Sequence, residues 1–449
     1  MREALAGLTT RGRAFLAAGG ATVICSILLG YDALLRVGIL ATAVPLLTAA
    51  LASRTRYRLR ADRLIGPGRV SVGQVATVTL RLANEGRMPT GLLLLEDRVP
   101  YALGTRPRFV VDHMGRHWAR EVSYPVRSDS RGHFEVGPLS IRVSDPFGMI
   151  ELVRTFSATS HLVVIPTVHR LPAMRATSDS TGAGDRSPRA FTVGSAEDVT
   201  VRDYRQGDDL RRVHWRSTAR TGDLMVRREE QPWQSRATVL LDSRQIAHQG
   251  NGPGSSLEWA VSAAASVSVY LAQSGFAVRL ITDRPDADAS TWHDHTLTPP
   301  AQTGPVLDQL AALRASPQQR LDDAVQAISQ QPGLLVAVLG RMHDSDVSEL
   351  SRTVQPGRRR LALLIDTEGW RAASVGLPAP APSAQTPQVV LHASMLGRAG
   401  WTVAVASAGD AVPAVWERLG AQLHTRGSHL GGSGPVSADG VDREAVSGR

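Results

Sequence analysis

The N-terminal part of the chain carries two uncharged apolar runs, 14–30 and 37–52, separated by six residues that include one acid and one arginine. Each run is slightly shorter than the ~20 residues that a helix needs to cross a bilayer, and flanking apolar residues can extend both. Pro45 would bend the second helix, which packing against a neighbouring helix tolerates. The pattern therefore predicts a transmembrane helical hairpin within a first segment that covers residues 1–56.

Arginines flank both apolar runs, and they predict the orientation of the hairpin. They are Arg11 and Arg13 before the first run, and Arg54, Arg56, Arg58, Arg60 and Arg63 after the second. Because cytoplasmic flanks are enriched in basic residues, both ends and everything after residue 54 are predicted to lie in the cytoplasm. A cleaved signal peptide is the alternative, and the second apolar run weighs against it. The predicted location is the inner or plasma membrane, with two spans and a cytoplasmic soluble part.

Residues 57–166 change to an alternation of apolar and polar positions with a period of two, for example at 77–84. Glycine, proline and asparagine interrupt the short runs about every ten residues, which is typical of an antiparallel β-sandwich. The next stretch, 167–193, is rich in Ser, Thr, Gly, Pro and Arg. This composition predicts an exposed linker.

Residues 237–425 alternate between short apolar strands and helical patterns. The first helix is predicted at 256–274, with Ser255 or Ser256 as its N-cap. This alternation predicts a doubly wound α/β domain with a mainly parallel sheet. The end of the chain, 426–449, is rich in Gly and Ser and is predicted to be a disordered tail.

Composition excludes several classes of function. All 50 basic residues are arginine, so the chain has neither the lysine of a Walker A phosphate loop nor the amine of a Schiff-base enzyme. The net charge is +9, and residues 1–66 hold nine arginines against three acids, so the excess lies beside the apolar N terminus. Without a basic helix, a zinc finger or an aromatic-studded sheet, nucleic acid is not an expected partner. The single cysteine, Cys25, excludes an internal disulfide.

Residues 194–236 form a charged segment with nine arginines and eight acids. Alternating charges predict a lattice of salt bridges rather than a phosphate-binding patch. In the favoured interpretation Trp215 packs beneath ion pairs that join Arg202, Arg212 and Arg220 to Asp203, Asp208 and Asp209. The alternative is an acid–base site in which His214 activates Ser217 or Thr218. Local groupings of this kind are usually hydrogen-bonding networks, which favours structure or partner contact over catalysis.

The same segment carries a family resemblance. The residues that carry it are Val201, Arg202, Asp203, Tyr204, Gly207, Asp208, Asp209, Arg212, Val213, His214, Trp215, Ser217, Thr218, Ala219 and Arg220. This series resembles the bacterial domain of unknown function 58 family. The resemblance implies a membrane-tethered partner of a MoxR-type AAA+ ATPase, with no established reaction. The implied partner-contacting residues are Arg202, Asp203, Tyr204, Gly207, Asp208, Arg212, His214, Trp215, Thr218 and Arg220.

The resemblance also implies a von Willebrand factor A-like fold for the α/β domain. Such domains bind a divalent ion with an Asp-x-Ser-x-Ser loop after the first strand. Here the loop reads Asp242-Ser243-Arg244-Gln245-Ile246, with Ile246 in place of the second serine and the charge of Arg244 near the ion. If magnesium binds, the predicted ligands are Asp242 and Ser243. The strand-end acids that would gather around them are Asp283 and Asp366.

Together these patterns predict a membrane-anchored, cytoplasm-facing scaffold or adaptor that has no catalytic residues and requires no cofactor. Its expected partners are a MoxR-type AAA+ ATPase, the lipid membrane and other membrane proteins of the same operon, and its expected role is envelope maturation or complex assembly. The alternative is a metal-dependent hydrolase that uses the strand-end acids of the α/β domain or His214.

Overall fold

The computed structural model describes residues 7–54, 59–86, 92–111, 118–144, 147–174, 201–204, 215–227, 236–283, 299–329, 333–353, 358–374 and 385–430. The chain divides into two compact units, Met1–Pro166 and Thr167–Arg449. The first contains two apolar helices and ten strands, and the second contains a parallel sheet with helices, counted over the described residues.

The apolar runs form two helices, α1 (Thr10–Leu29) and α2 (Asp32–Arg54). The side chain of Thr9 caps the first helix by accepting a hydrogen bond from the Gly12 amide, and Gly30 ends it with a φ of 69°. Both helices are long and apolar enough to cross a membrane, and only 17% and 22% of their most apolar windows are buried. This exposure argues against a role as core helices of a soluble protein.

Glycines allow the two helices of the hairpin to approach closely. A Cβ atom at Gly19 would lie 2.5 Å from Thr42 Oγ1, and one at Gly38 would lie 2.9 Å from the Val23 amide nitrogen. Small residues at such contacts are a common feature of helix pairs in membranes, because they let the backbones pack against each other. The hairpin therefore depends on the absence of side chains at these two positions.

Replacing Gly19 by leucine is expected to loosen the hairpin, because overpacking of this kind costs about 1–3 kcal/mol. The measurement is the rate of tryptic cleavage at Arg36 in mild detergent, which should rise about tenfold or more as the open population grows. Gly20→Leu is the matched control, since a Cβ atom there meets nothing within 4 Å. Equal cleavage rates for the two variants would contradict the packing described here.

The rest of the first unit consists of short strands in three sheets with the orders β1-β3-β6, β2-β10-β7 and β5-β4-β8-β9. The strands are β1 (Leu59–Gly66), β2 (Arg69–Ser71), β3 (Val75–Asn84), β4 (Leu93–Asp97), β5 (Arg108–Val111), β6 (Ala119–Arg127), β7 (Gly132–Val136), β8 (Leu139–Ser144), β9 (Glu151–Phe156) and β10 (Ser160–Ile165). Pairing is antiparallel except between β2 and β10. Alternate residues of these strands point into one shared apolar core, as the period-two pattern predicts.

A buried polar network crosses that core. The Arg63 guanidinium pairs with both carboxylate oxygens of Asp97, with Nε–Oδ2 at 3.1 Å and Nη2–Oδ1 at 2.5 Å, and Tyr124 donates its hydroxyl to Oδ2 at 2.5 Å. Arg63 also donates to the carbonyls of Val136 and Ala158. Burial, followed by the hydrogen bond to Asp97, raises the pKa of Tyr124 above its ordinary value. The network links β1, β4 and β6 through groups that all have partners.

The second unit is built on a five-stranded parallel sheet with the order β14-β13-β15-β16-β17. The strands of this unit are β11 (Val201–Asp203), β12 (Met225–Arg227), β13 (Arg236–Leu241), β14 (Ala277–Thr282), β15 (Leu334–Leu339), β16 (Arg360–Ile365) and β17 (Thr402–Ala406). Its helices are α3 (Trp215–Thr221), α4 (Ser256–Gln273), α5 (Pro299–Ala312), α6 (Asp322–Ser329), α7 (Asp344–Arg352), α8 (Thr367–Ser374), α9 (Pro387–Arg398) and α10 (Val412–Leu430). Numbered from β13, the strand order is 2-1-3-4-5, one of the two common orders of doubly wound sheets.

Helices cover both faces of this sheet. Side chains of α6, α7 and α9 pack with alternate strand residues on one face, while α4 and α10 meet through Tyr270 and Trp416 on the other. Ser255 caps α4 by accepting a hydrogen bond from the Glu258 amide, as predicted. A mainly parallel sheet with helices is thus confirmed.

Two local predictions need correction. Helix α10 continues to Leu430, so the first five residues of the predicted disordered tail are helical. The predicted exposed linker begins with a packed stretch, because Leu171 and Met174 are buried. In that stretch the Met174 amide donates to the Tyr270 hydroxyl at 2.9 Å. The remainder of the predicted linker, from 175 to 193, lies outside the described residues.

Candidate functional site

In doubly wound sheets, ligands bind outside the carboxyl ends of the strands, at the point where the strand order reverses. In this sheet that point lies between β13 and β15. The residues that follow β13 are Asp242, Ser243 and Arg244, and all three are buried. These three buried residues therefore occupy the position at which doubly wound sheets bind ligands.

The guanidinium of Arg244 fills the switch point, which is the position between the carboxyl ends of β13 and β15 where the strand order reverses. It is completely buried and pairs in a bidentate manner with Asp242, with Nε–Oδ1 at 2.9 Å and Nη2–Oδ2 at 3.0 Å. Its Nη1 donates to Asp346 Oδ2 at 3.1 Å and to the Gln319 carbonyl at 3.0 Å. Burial alone would lower the pKa of Arg244, but hydrogen bonds and attraction to Asp242 and Asp346 outweigh it and raise the pKa. Arg244 is therefore a fixed, permanently charged group.

A neutral histidine supports the same loop. His248 Nε2 lies 2.7 Å from the Asp242 carbonyl and Nδ1 lies 3.1 Å from Ser256 Oγ. Burial lowers the pKa of His248, in spite of the attraction of Asp242. A carbonyl can only accept, so the proton is on Nε2 and Nδ1 accepts from Ser256. His248 thus orients the loop and has no free nitrogen for proton transfer.

The predicted metal ligands Asp242 and Ser243 lie side by side but have other partners. Both carboxylate oxygens of Asp242 accept from Arg244, and Ser243 donates its amide and its hydroxyl to Asp283 Oδ1. An ion bound to Asp242 would have to displace a guanidinium. Within the described ranges, no group of three or more His, Cys, Asp and Glu side chains is arranged to hold a metal ion. Magnesium at this loop stays a prediction.

The other strand-end acids, Asp283 and Asp366, also accept hydrogen bonds from donors of their own in the described region. Asp366 accepts from the amide and hydroxyl of Thr386 at 2.8 and 2.5 Å. It lines a small cleft at the ends of β15 and β16, together with Thr386 and His392. That cleft has a volume of about 20 Å³, which is room for about one water.

The family motif forms a small β-hairpin-like unit around a short helix. Strands β11 and β12 pair antiparallel, with Arg202 opposite Val226, and α3 lies between them in sequence. The Tyr204 amide donates to the Leu224 carbonyl at 2.8 Å, and Thr218 Oγ1 accepts from the Met225 amide at 3.0 Å. The Thr218 side chain and the backbone at Tyr204 therefore fix the turn around α3, which agrees with a structural role for Thr218.

The sequence interpretation predicted that Trp215 packs beneath the charged segment, and the structure contradicts this prediction. Its side chain begins α3 and is 70% exposed, and Leu224 is 40% exposed. Arg216 and Arg220 are also exposed on the same helix. An exposed tryptophan on the same helix as exposed arginines is a feature of contact surfaces rather than of cores. The other motif residues Gly207, Asp208, Arg212 and His214 lie outside the described residues, and so do the predicted ion pairs that involve them.

Sequence reasoning missed two residues of the site. Asp346, in α7, accepts from Arg244 and also from the His343 amide at 3.0 Å, so it is both an ion-pair partner and a helix cap. His248 was not singled out. The available signal for Asp346 was an acid in the first turn of a short polar helix.

Comparisons with known proteins support the family resemblance in part of the chain. A sequence profile described as protein of unknown function DUF58 matches residues 200–342. An uncharacterized protein, YeaD, of Bacillus subtilis (strain 168) is 25% identical over 197 residues, which cover 42% of this chain and 49% of that protein. The chain thus aligns with about half the length of this relative. The resemblance to the domain of unknown function 58 family is confirmed over the matched residues.

Similar solved structures include the CARDB domain of the PF1109 protein from Pyrococcus furiosus, which is 17% identical. The match covers 24% of this chain and 93% of that domain, with a TM-score of 0.19. A beta-glucosidase from Listeria innocua is 9% identical, and the match covers 25% of this chain and 16% of that one, with a TM-score of 0.16. Scores this low give no information about function.

Proposed function

We propose that this protein is a membrane-anchored, cytoplasm-facing scaffold without catalytic activity, which acts with a MoxR-type AAA+ ATPase in envelope maturation or complex assembly. The hairpin of α1 and α2 would be the anchor. The motif around α3 would be the docking surface, and the α/β unit would serve as a von Willebrand factor A-like binding module.

The observation that carries the non-catalytic part of the proposal is the filled switch point. Catalytic sites in doubly wound domains need an open crevice at the carboxyl ends of the strands. Here Arg244 occupies that position with its side chain fully buried and paired to Asp242 and Asp346. A group buried and bonded in this way is part of the framework, so it favours a binding role for the outer surface of the unit.

Two features support membrane anchoring. The helices of the hairpin expose large apolar side chains, among them Ile27 at 71% and Leu28 at 79%. Exposed side chains of this kind are stable in lipid and costly in water. The arginine-rich flanks support a cytoplasmic position for both ends of the hairpin, by the positive-inside rule.

The choice of partner follows from what the chain lacks and what its family implies. The sequence contains no lysine, so it has no Walker A loop with which to use nucleotide energy. An ATPase partner would supply that energy. Trp215 is the strongest candidate for the contact, because buried tryptophans dominate the binding energy of many interfaces.

Trp215→Ala is expected to reduce recovery of an AAA+ ATPase when the full-length protein is purified from detergent extracts. Loss of a central tryptophan weakens an interface by about 2 kcal/mol or more, while removal of an exposed side chain should leave the fold intact. Tyr101→Ala is the matched control, because Tyr101 is an aromatic residue of the other unit that is 96% exposed. Recovery equal to the wild type, or the absence of any AAA+ protein from both samples, would refute the proposal.

One observation favours the second candidate, a metal-dependent hydrolase. Asp283 Oδ2 is buried and has no hydrogen-bond partner among the described residues, which is unusual for a carboxylate. Metal analysis of the purified protein separates the two candidates. One divalent ion per chain, lost in Asp283→Asn and kept in the exposed-site variant Asp129→Asn, would favour the hydrolase.

A further inference from the structure

The loop that follows β8 is attached to the base of the helical hairpin. The Thr9 amide donates to the Met149 carbonyl at 2.9 Å, and the Glu151 amide donates to the Gly7 carbonyl at 2.8 Å. The Thr9 hydroxyl donates to the Gly148 carbonyl at 2.7 Å. The chain that enters α1 therefore runs beside residues 147–151 like a short added strand.

An apolar cluster also holds residues 147–151 against the helical hairpin. It consists of Leu8, Ala49, Met149 and Ile150, with Leu16 and Leu152 packed against it. Because Leu8 precedes α1 and Ala49 lies in the last part of α2, the cluster joins both ends of the hairpin to the loop. Residues 147–150 therefore lie at the open end of the hairpin, where the helices would leave the bilayer.

The exposed side chains at the open end of the hairpin are suited to contact with a lipid surface. Phe147 is 63% exposed, and the exposed side chains of Arg11 and Arg13 lie in the first turn of α1. A Cβ atom at Gly148 would lie 3.8 Å from Arg11 Nη1, so this guanidinium is close to the loop that carries Phe147. An aromatic ring beside arginines is the combination found where proteins meet the headgroup layer.

We propose that residues 147–150 and the first turn of α1 form a membrane-contact patch, in which Phe147 enters the interfacial layer and Arg11 and Arg13 bind the phosphate groups of anionic lipids. The inference rests on the membrane anchoring proposed above and adds a second point of attachment. Since the loop is hydrogen-bonded to the hairpin, the patch would hold the sandwich at a fixed angle to the membrane rather than on a free tether.

The register of the sandwich provides a control position. Strand β4 pairs with β8 so that Leu93 lies opposite Val143 and Asp97 lies opposite Leu139. Tyr101 follows β4 and Phe147 follows β8, so they lie near opposite ends of this ladder, roughly 20 Å apart along the strands. Tyr101 is therefore an exposed aromatic position that should stay in water.

Spin labels on the full-length protein in nanodiscs would test the patch. A label on the native Cys25, which is exposed in α1, reports whether the hairpin enters the bilayer. In a Cys25→Ser background, Phe147→Cys and Tyr101→Cys report the loop and the control position. In phosphatidylglycerol discs the label at 147 should collide more with oxygen and less with a water-soluble nickel complex than the label at 101. In discs of phosphatidylcholine alone, or with Arg11→Ala and Arg13→Ala, that difference should shrink.

The outcomes separate this inference from the proposed function. A lipid-buried label at Cys25 with equal, water-like accessibility at 147 and 101 would overturn the patch and leave the anchor. A label at 147 shielded from both oxygen and nickel would indicate a protein contact and also overturn it. A water-accessible label at Cys25 would overturn membrane anchoring, and the patch with it.

Discussion

Replacing Arg244 by alanine should lower the free energy of unfolding of the α/β unit by about 3–5 kcal/mol, because it leaves two buried carboxylates without their counter-charge. Asp242 would lose both hydrogen bonds of its bidentate pair, and Asp346 would lose the guanidinium and keep its contacts with the His343 amide and ring. Buried charges without partners are among the few causes of losses this large. The variant is expected to be folded at low temperature and to unfold at a much lower urea concentration.

Tryptophan fluorescence is the appropriate measurement, since seven of the eight tryptophans follow residue 166. Urea titration of the full-length protein in detergent then reports mainly on the second unit. Arg341→Ala is the matched control, because Arg341 is exposed and follows β15 at the same edge of the sheet. The urea midpoint of the Arg341→Ala variant should stay close to that of the wild type. An Arg244→Ala midpoint equally close to the wild type would show that the switch point is not held by this ion pair.

The same network explains why the sequence pointed to a metal where the structure places an arginine. Sequence reasoning placed Asp242 and Ser243 correctly at the end of the first parallel strand, because strand ends are set by short-range patterns. It also recognised that Arg244 puts a positive charge near the expected ion. Whether that charge repels an ion or takes its place depends on Asp346, which lies 102 residues further along the chain. A contact at such a separation cannot be deduced from a local pattern.

Helix α7 shows that some secondary structure is also not predictable from the local sequence pattern. Its residues, Asp344–Arg352, contain only two large apolar side chains, Val347 and Leu350, both fully buried. Two apolar positions in nine are too few for a helical period to stand out. The long elements were predicted more reliably because their patterns extend over several turns, as in α4, or over an uninterrupted apolar run, as in α1 and α2.

The prediction that Trp215 is packed beneath the charged segment was wrong for a different reason. Large aromatic side chains are usually buried, so packing beneath the charged segment was the natural expectation. Its exposure of 70% in the structure contradicts that expectation and indicates that this part of the motif presents a contact surface. The described part of the motif uses the Thr218 hydroxyl and the backbone at Tyr204 to shape a turn, and presents the tryptophan outward. Exposure of this kind cannot be predicted from residue type, because it depends on which face of α3 meets the rest of the unit.

Asp97→Ala should destabilise the β-sheet part of the first unit by about 3–5 kcal/mol, because it removes the carboxylate that pairs with the buried Arg63. The side chains of Arg63 and Asp97 are 4% and 0% exposed, so water cannot replace the lost partner. Hydrogen exchange followed by mass spectrometry is the measurement. Peptides from β1, β4 and β6 should lose protection by a factor of about 100 or more, since 1.4 kcal/mol corresponds to tenfold. Peptides from β13 serve as the internal control.

Tyr124→Phe keeps the ring in the same core and removes one hydrogen bond to a charged group, so it should cost less, about 1.5–3 kcal/mol. It also tests the ionisation of the network. Because the pKa of Tyr124 is raised by burial and by Asp97, the folded state keeps a proton that the unfolded state loses above about pH 10. Stability of the wild type should therefore be complete below that pH and fall as the pH rises further, by up to about 1.4 kcal/mol per unit from this group. The phenylalanine variant lacks this contribution, and identical pH dependences for the two proteins would mean that Tyr124 ionises freely in the folded state.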